Sequence, residues 1–330
     1  MDRRAAPLLI AVLLVAGCTT QPSPVTPSWV SPSPAPVAAP SPAATPGPVA
    51  TPPPESEAIE TTPESHPGGR WPTDRLAVAL GPGPAAQQEA VREALRVWES
   101  ATGGRLRFAE VPGEANITVL FVERLSRPTH AEELGDTHLV FVDLGPRTLF
   151  RSATIELLPR TQSGTPLGAV DARNLALHEI GHALGLGHSN SSTSVMAPKL
   201  PVPSTFARLP REEDAAPLKR IYAEPARPDL AVSIESASKK SLSFRTYLDI
   251  KFKVRNLGLL PAAGEISILA GADEVRRQPL KELDPGESLT LTMSNLQAPD
   301  GFRQVAVVVE PPAGVVEYDS ASNRAEATLT

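Results

Sequence analysis

The sequence predicts an α+β region with three helices, followed by a separate all-β region built as a small antiparallel sandwich. Three observations lead there. Between residues 67 and 225, stretches with apolar residues at helical spacing are interleaved with short alternating runs. From residue 226 to 330 the period-two alternation takes over and is punctuated by turn signals. Ahead of both, residues 18–66 are dominated by Pro, Ser, Thr and Ala, a composition that cannot bury a core. A chain of 330 residues has room for two such regions, each with its own core.

The first residues, MDRRAAPLLIAVLLVAGCTT, place Arg3 and Arg4 before an apolar run from Ala5 to Ala16. That run is too short to span a bilayer and suits the middle of a signal peptide over residues 1–17. Cys18 is the only cysteine, which excludes a disulfide framework and a Cys-based zinc ribbon. Val15-Ala16-Gly17-Cys18 resembles the lipobox of bacterial lipoproteins, and the resemblance implies lipidation at Cys18. Acyl chains would hold the exported protein at a membrane without a spanning helix. An ordinary signal peptide with an incidental cysteine is the other reading. Thr19, where inner-membrane lipoproteins often carry aspartate, favours an outer or exposed surface. The Pro-rich segment behind the anchor, extended at about 3.1 Å per residue, reaches on the order of 150 Å.

Residues 74–80 alternate Leu76, Val78 and Leu80 as a half-buried strand does. A helix is expected over Pro84–Ala101, with Val91, Leu95 and Trp98 on one face and Gly103-Gly104 behind it. Strands are expected at Leu106–Val111, at Ile117–Val122 in the middle of a sheet, at His138–Asp143 and at Ala153–Leu158. A second helix should run from Asp171, as its cap, to Leu184, and a third over Ala215–Ala223 with Asp214 as cap and Pro217 in its first turn. In the all-β region Leu248, Ile250, Phe252 and Val254 alternate with charged residues, and Leu289, Leu291 and Met293 repeat the pattern. Turn signals stand at Ala270–Asp273 and Asp284–Gly286. The net charge of -6 and pI near 5.6 offer no basic surface and argue against nucleic acid.

The chemistry is concentrated in HEIGHALGLGH, residues 178–188. His178 and His182 are four apart and share one helix face, close enough to bind one ion. A catalytic zinc usually takes three protein ligands and keeps one position open. His188 cannot be the third on a continuing helix, because ten residues would carry it about 15 Å along the axis. Gly185 resolves this. A glycine can take positive φ and end the helix, so that the chain folds back toward the ion. Glu179 lies beside the first ligand without needing to bind.

This stretch is similar to the extended zinc signature of the metzincins, HExxHxxGxxH, and Ser189 after it resembles the matrixin branch. Met196, eight residues beyond His188, stands at the spacing of the matrixin Met-turn. Over about Trp71–Ala223 the resemblance implies a metzincin fold with a mixed twisted sheet and three helices. It also implies one catalytic Zn²⁺ held by His178, His182 and His188, with Glu179 as general base and Met196 as an apolar floor. The expected activity is endopeptidase cleavage of extracellular or cell-surface proteins, with substrate extended along an edge strand around His138–Asp143. Matrixins usually carry Tyr after the Met-turn methionine, where this chain has Ala197, which places the wall of the specificity pocket in question. Neither His130 nor His138 sits in a ligand pattern for a second zinc, and calcium is left open. Latency through a propeptide cysteine has no residue to use.

PDLAVSIES, the strand ending in VRNLG and the closing VVEYDSASNRAEATL resemble the CARDB family, which implies an immunoglobulin-like sandwich serving as a binding or spacing module. Asp229, Asp249, Glu317 and Asp319 read as solvated surface acids rather than an ion site. The alternative to an enzyme is a cell-surface adhesion or scaffold protein whose metzincin-fold module binds metal without cutting. Retention of Glu179, which a pure binder would not need, favours the enzyme.

Overall fold

The structure, a computed structural model, describes residues 69–128 and 133–329. The segment expected to be a signal peptide, Cys18, the Pro-rich segment and His130 lie outside the described residues.

The first part is α+β. Its sheet contains β1 (Gly69–Arg70), β2 (Arg75–Leu80), β3 (Arg107–Glu110), β4 (Ile117–Phe121), β5 (Gly135–Asp143) and β6 (Thr148–Leu157). The order is β1-β6-β4-β2-β3, all parallel, and β5 runs antiparallel along β6. β4 therefore sits between two neighbours, and its Ile117 and Val119 are fully buried. The strand expected at His138–Asp143 is β5, which among the described residues pairs with β6 alone and leaves its other edge open. β1 lies ahead of the first expected strand; two residues are too few to show a period.

The described residues of this part include three helices, α1 (Ala85–Ala101), α2 (Ala169–Ala183) and α3 (Glu212–Ile221), of which α1 and α2 pack on the sheet. Val91, Leu95 and Trp98 of α1 are buried as their spacing requires. The Trp98 indole donates to the Leu177 carbonyl of α2 at 2.9 Å, so the ring both fills the core and satisfies its one polar atom. Trp71 does the same at the far end of α2, donating to the Ala183 carbonyl at 3.1 Å.

Two helix starts differ from expectation. The cap of α2 is Gly168, and Asp171 stands in the first turn, where its carboxylate accepts from the Ser204 backbone at 2.6 Å. The cap of α3 is Arg211; Asp214 reaches back to accept from its N–H at 2.8 Å. Pro217 consequently falls in the second turn, where it removes one helical hydrogen bond. Asp214 is drawn inward because it also binds the buried Ser194 hydroxyl, a partner twenty residues away that local sequence does not reveal.

The second part consists of β7 (Leu230–Leu242), β8 (Arg245–Asn256), β9 (Ala262–Ala270), β10 (Asp273–Leu283), β11 (Ser288–Ala298), β12 (Gln304–Glu310) and β13 (Arg324–Thr328). They form two antiparallel sheets, β10-β9-β12-β13 and β11-β8-β7. Leu248, Ile250, Phe252 and Val254 face Ile266, Ile268, Val305 and Val307 across the core. Leu289, Leu291 and Met293 are only half-buried, because β11 is an edge strand. The four acids are not a solvated set. Asp229 is 2 % exposed and accepts from Arg147 at 2.8 Å and from the Asp319 backbone at 3.1 Å. Asp249 pairs with Lys240, Glu317 accepts from the Leu230 backbone, and Asp319 caps a 3-10 turn at Ser320–Asn323.

The two parts touch at the tip of the β5–β6 hairpin. Leu144 and Leu149 form a small buried cluster with Leu259 of the sandwich. Arg147, which pairs with Asp229, also lies over the Tyr318 ring at 3.7 Å, and Arg255 donates to the Asp143 carbonyl at 3.1 Å.

Candidate metal centre

α2 enters the core with His178 and His182 one turn apart on the face toward β5. Their rings lie edge to face at 4.6 Å. His178 Nδ1 is 2.8 Å from the Val195 carbonyl, and His182 Nδ1 is 2.8 Å from the Leu186 carbonyl. A carbonyl only accepts, so both Nδ1 atoms carry hydrogen and both Nε2 atoms present lone pairs. Burial, together with neighbouring histidines, pushes the His178 pKa down to about 3; burial pushes His182 down to about 4. Both rings are therefore neutral at pH 7.

The helix ends where the glycine pattern requires. Gly185 has φ +97°, its N–H bonds the His182 carbonyl at 2.9 Å, and the Leu186 N–H turns back to the Gly181 carbonyl at 3.0 Å. His188 then comes round so that its ring lies 4.8 Å from His182 and 5.3 Å from His178. One ligand atom from each of the three histidines lies within 4.8 Å of the other two.

The Nε2 atoms of His178 and His182 are 3.0 Å apart, and with hydrogens on both Nδ1 atoms two lone pairs face each other. That arrangement is repulsive unless a cation lies between them. A tetrahedral zinc with bonds of about 2.0–2.1 Å holds its ligand atoms roughly 3.3 Å apart, so the residues fit the ion.

Below the triad, the chain after His188 folds back, with the Ser189 N–H donating to the Met196 carbonyl at 2.7 Å. Met196 is 2 % exposed and packs on α2 at Gly181, where any side chain would collide with its sulfur. Its N–H bonds the Ser194 hydroxyl at 2.8 Å, which ties this turn to Asp214 and so to the start of α3. Ala197 is also buried, at the margin of the cleft.

Glu179 is buried beside the triad. The Thr137 hydroxyl of β5 lies 2.7 Å from its Oε2 and 3.0 Å from its main-chain carbonyl oxygen. Gly135, on the same face of β5, leaves the space that the carboxylate occupies: a Cβ there would sit 2.7 Å from Oε1. Neither residue stood out in the sequence, because a contact across 42 residues carries no local period. His138, on the opposite face of β5, is 3.1 Å from Asp136 and 3.3 Å from the Ser126 hydroxyl. Burial raises the Asp136 pKa above the usual carboxylate range. The triad and Glu179 open onto a cleft of about 1140 Å³, bounded by residues 134–139 on one side and 197–202 on the other.

Residues 82–223 match the family model described as Matrixin, and residues 227–327 match the CARDB model. Human matrix metalloproteinase-15 is 40 % identical over 124 residues, covering 33 % of this chain and 18 % of the relative. Human matrix metalloproteinase-16 is 31 % identical over 151 residues, covering 42 % of this chain and 24 % of the relative, and its mouse counterpart matches to the same extent. The chain thus spans less than a quarter of the length of these relatives.

Proposed function

We propose that this chain, whose residues 82–223 match the Matrixin model and 227–327 the CARDB model, is a zinc-dependent endopeptidase acting on extracellular or cell-surface proteins. The observation that carries this reading is the convergence of three imidazoles beside a buried carboxylate, under a cleft with an open strand edge. His178, His182 and His188 would hold the zinc. When bound, it supplies Lewis acidity that makes a water nucleophilic near neutral pH and polarises a carbonyl. Glu179 takes a proton from the attacking water and delivers it to the leaving amine. β5 offers its second edge, which no strand among the described residues occupies, to an extended peptide, adding the substrate as a further strand. Gly135 and the main chain around it place that peptide next to Glu179.

The exported protein is held at a bacterial membrane by lipid on Cys18, with the Pro-rich segment as tether and the sandwich as a spacing or binding module. The test is cleavage of a generic unfolded protein by the purified chain, stripped of metal and then reconstituted with zinc. Cleavage restored by zinc is the expected result. One zinc bound with no cleavage of any substrate in a proteome-derived peptide library would favour the adhesion reading instead.

A further inference from the structure

We propose that Thr137 is the positioning residue for Glu179, and that Gly135-x-Thr137 on β5 sets where the general base points. This rests on the endopeptidase reading above. Alternation along β5 puts Gly135 and Thr137 on one face, toward α2, and Asp136 and His138 on the other. The carboxylate is thereby constrained at both oxygens. At Oε1 the missing side chain of Gly135 is filled by the carboxylate, and at Oε2 the Thr137 hydroxyl donates at 2.7 Å.

A hydroxyl has one hydrogen and two lone pairs, and this one has two acceptors in reach, Oε2 at 2.7 Å and the Glu179 carbonyl at 3.0 Å. While Glu179 is ionised, the hydrogen points to Oε2. Once Glu179 has taken the proton of water on a lone pair facing the cleft, Oε2 keeps the lone pair that accepts from Thr137, and the proton stays aimed at the leaving amine. No proton leaves Thr137 in this exchange, and its hydrogen bond to Oε2 keeps its direction. A single side chain therefore holds the base in the same place before and after proton transfer. The strand that carries Thr137 is also the one proposed to pair with substrate, so base and scissile bond are referenced to one element.

The test compares Thr137→Val, which keeps shape and loses the hydroxyl, with Thr137→Ser, which keeps the hydroxyl. Thr137→Val should lower kcat about 10- to 100-fold, the usual effect of losing a hydrogen bond to a charged group, with KM within about twofold and one zinc still bound. Thr137→Ser should recover most of that kcat. Gly135→Ala, which pushes the carboxylate without touching the hydroxyl, should also lower kcat. In urea unfolding of the metal-free protein, Thr137→Val and Glu179→Ala should be non-additive, because the contact exists without zinc. Wild-type kcat in Thr137→Val, a Ser variant as slow as the Val variant, an effect on KM alone, or strict additivity would each overturn the proposal. If Thr137→Val does not fold, Thr137→Ala measured against Thr137→Ser carries the same comparison. Failure of the endopeptidase reading is separate: it would show as equal cleavage by wild type and Glu179→Ala, whatever Thr137 does.

Discussion

Gly185→Ala is the substitution that bears most directly on why the helix stops. Gly185 holds φ +97°, where an L side chain is strained by roughly 1–3 kcal/mol. The new methyl would sit 3.0 Å from two carbons of the Phe150 ring and 3.3 Å from the Gly69 carbonyl oxygen. Phe150 is fully buried and packs edge-on against Trp71 at 5.8 Å, so the ring has little room to retreat. Overpacking of that kind costs about 1 kcal/mol or more. Together these give a loss of roughly 2–4 kcal/mol, or else a chain that relaxes toward continued helix and carries His188 away from the other two imidazoles. Gly103→Ala is the matched control. Gly103 has φ +65° but open space around its Cα, so it registers the backbone cost alone. The assays are urea unfolding of the metal-free protein and competition for zinc against a chelator. Gly185→Ala should be the more destabilised of the two and should bind zinc at least tenfold more weakly, whereas Gly103→Ala should bind zinc normally. A Gly185→Ala protein within about 0.5 kcal/mol of wild type and with unchanged zinc affinity would show that this glycine is not what stops the helix.

The depressed pKa values of His178 and His182, about 3 and about 4 against an ordinary 6.5, set a pH dependence. Below pH 6.5 the unfolded chain binds protons that the folded, metal-free protein does not, so stability present above that pH is lost as pH falls toward 4. Urea midpoints between pH 7.5 and 5 should show that slope, and His178→Ala/His182→Ala should lack most of it. Arg147→Met removes the partner of a buried Asp229 carboxylate and should cost about 2–3 kcal/mol, separating the unfolding of the two parts into distinct calorimetric transitions. A single unchanged transition would show that the hairpin contact does not couple them. Cys18→Ser should abolish palmitate labelling and move the protein from the membrane pellet to the soluble fraction; label that persists would remove the anchor.

The parts of this fold that were legible in the sequence are those whose signal is periodic or local. The α1 stripe Val91, Leu95 and Trp98, the alternation of β8, and the spacing from His178 through Gly185 to Met196 each state a geometry within a few turns of chain. What stayed hidden depends on elements meeting from far apart. Asp171 and Asp214 looked like helix caps because an acid before an apolar run usually is one. Their actual partners, Ser204 and Ser194, were fixed by how the chain returns after Met196. Asp229 read as a surface acid because nothing local announces that Arg147 will meet it. Thr137 and Gly135 were invisible for the same reason. A threonine in a strand is ordinary, and its role follows only from α2 lying across that face of β5.

In the proposed function, Glu179 performs chemistry at a zinc site held by the three histidines. Zinc content and cleavage of an unfolded protein, measured side by side for wild type and Glu179→Ala, test it most directly. The expected result is one zinc per chain in both proteins, with cleavage reduced at least a thousandfold in the variant. Equal cleavage by the two at equal zinc content would contradict it.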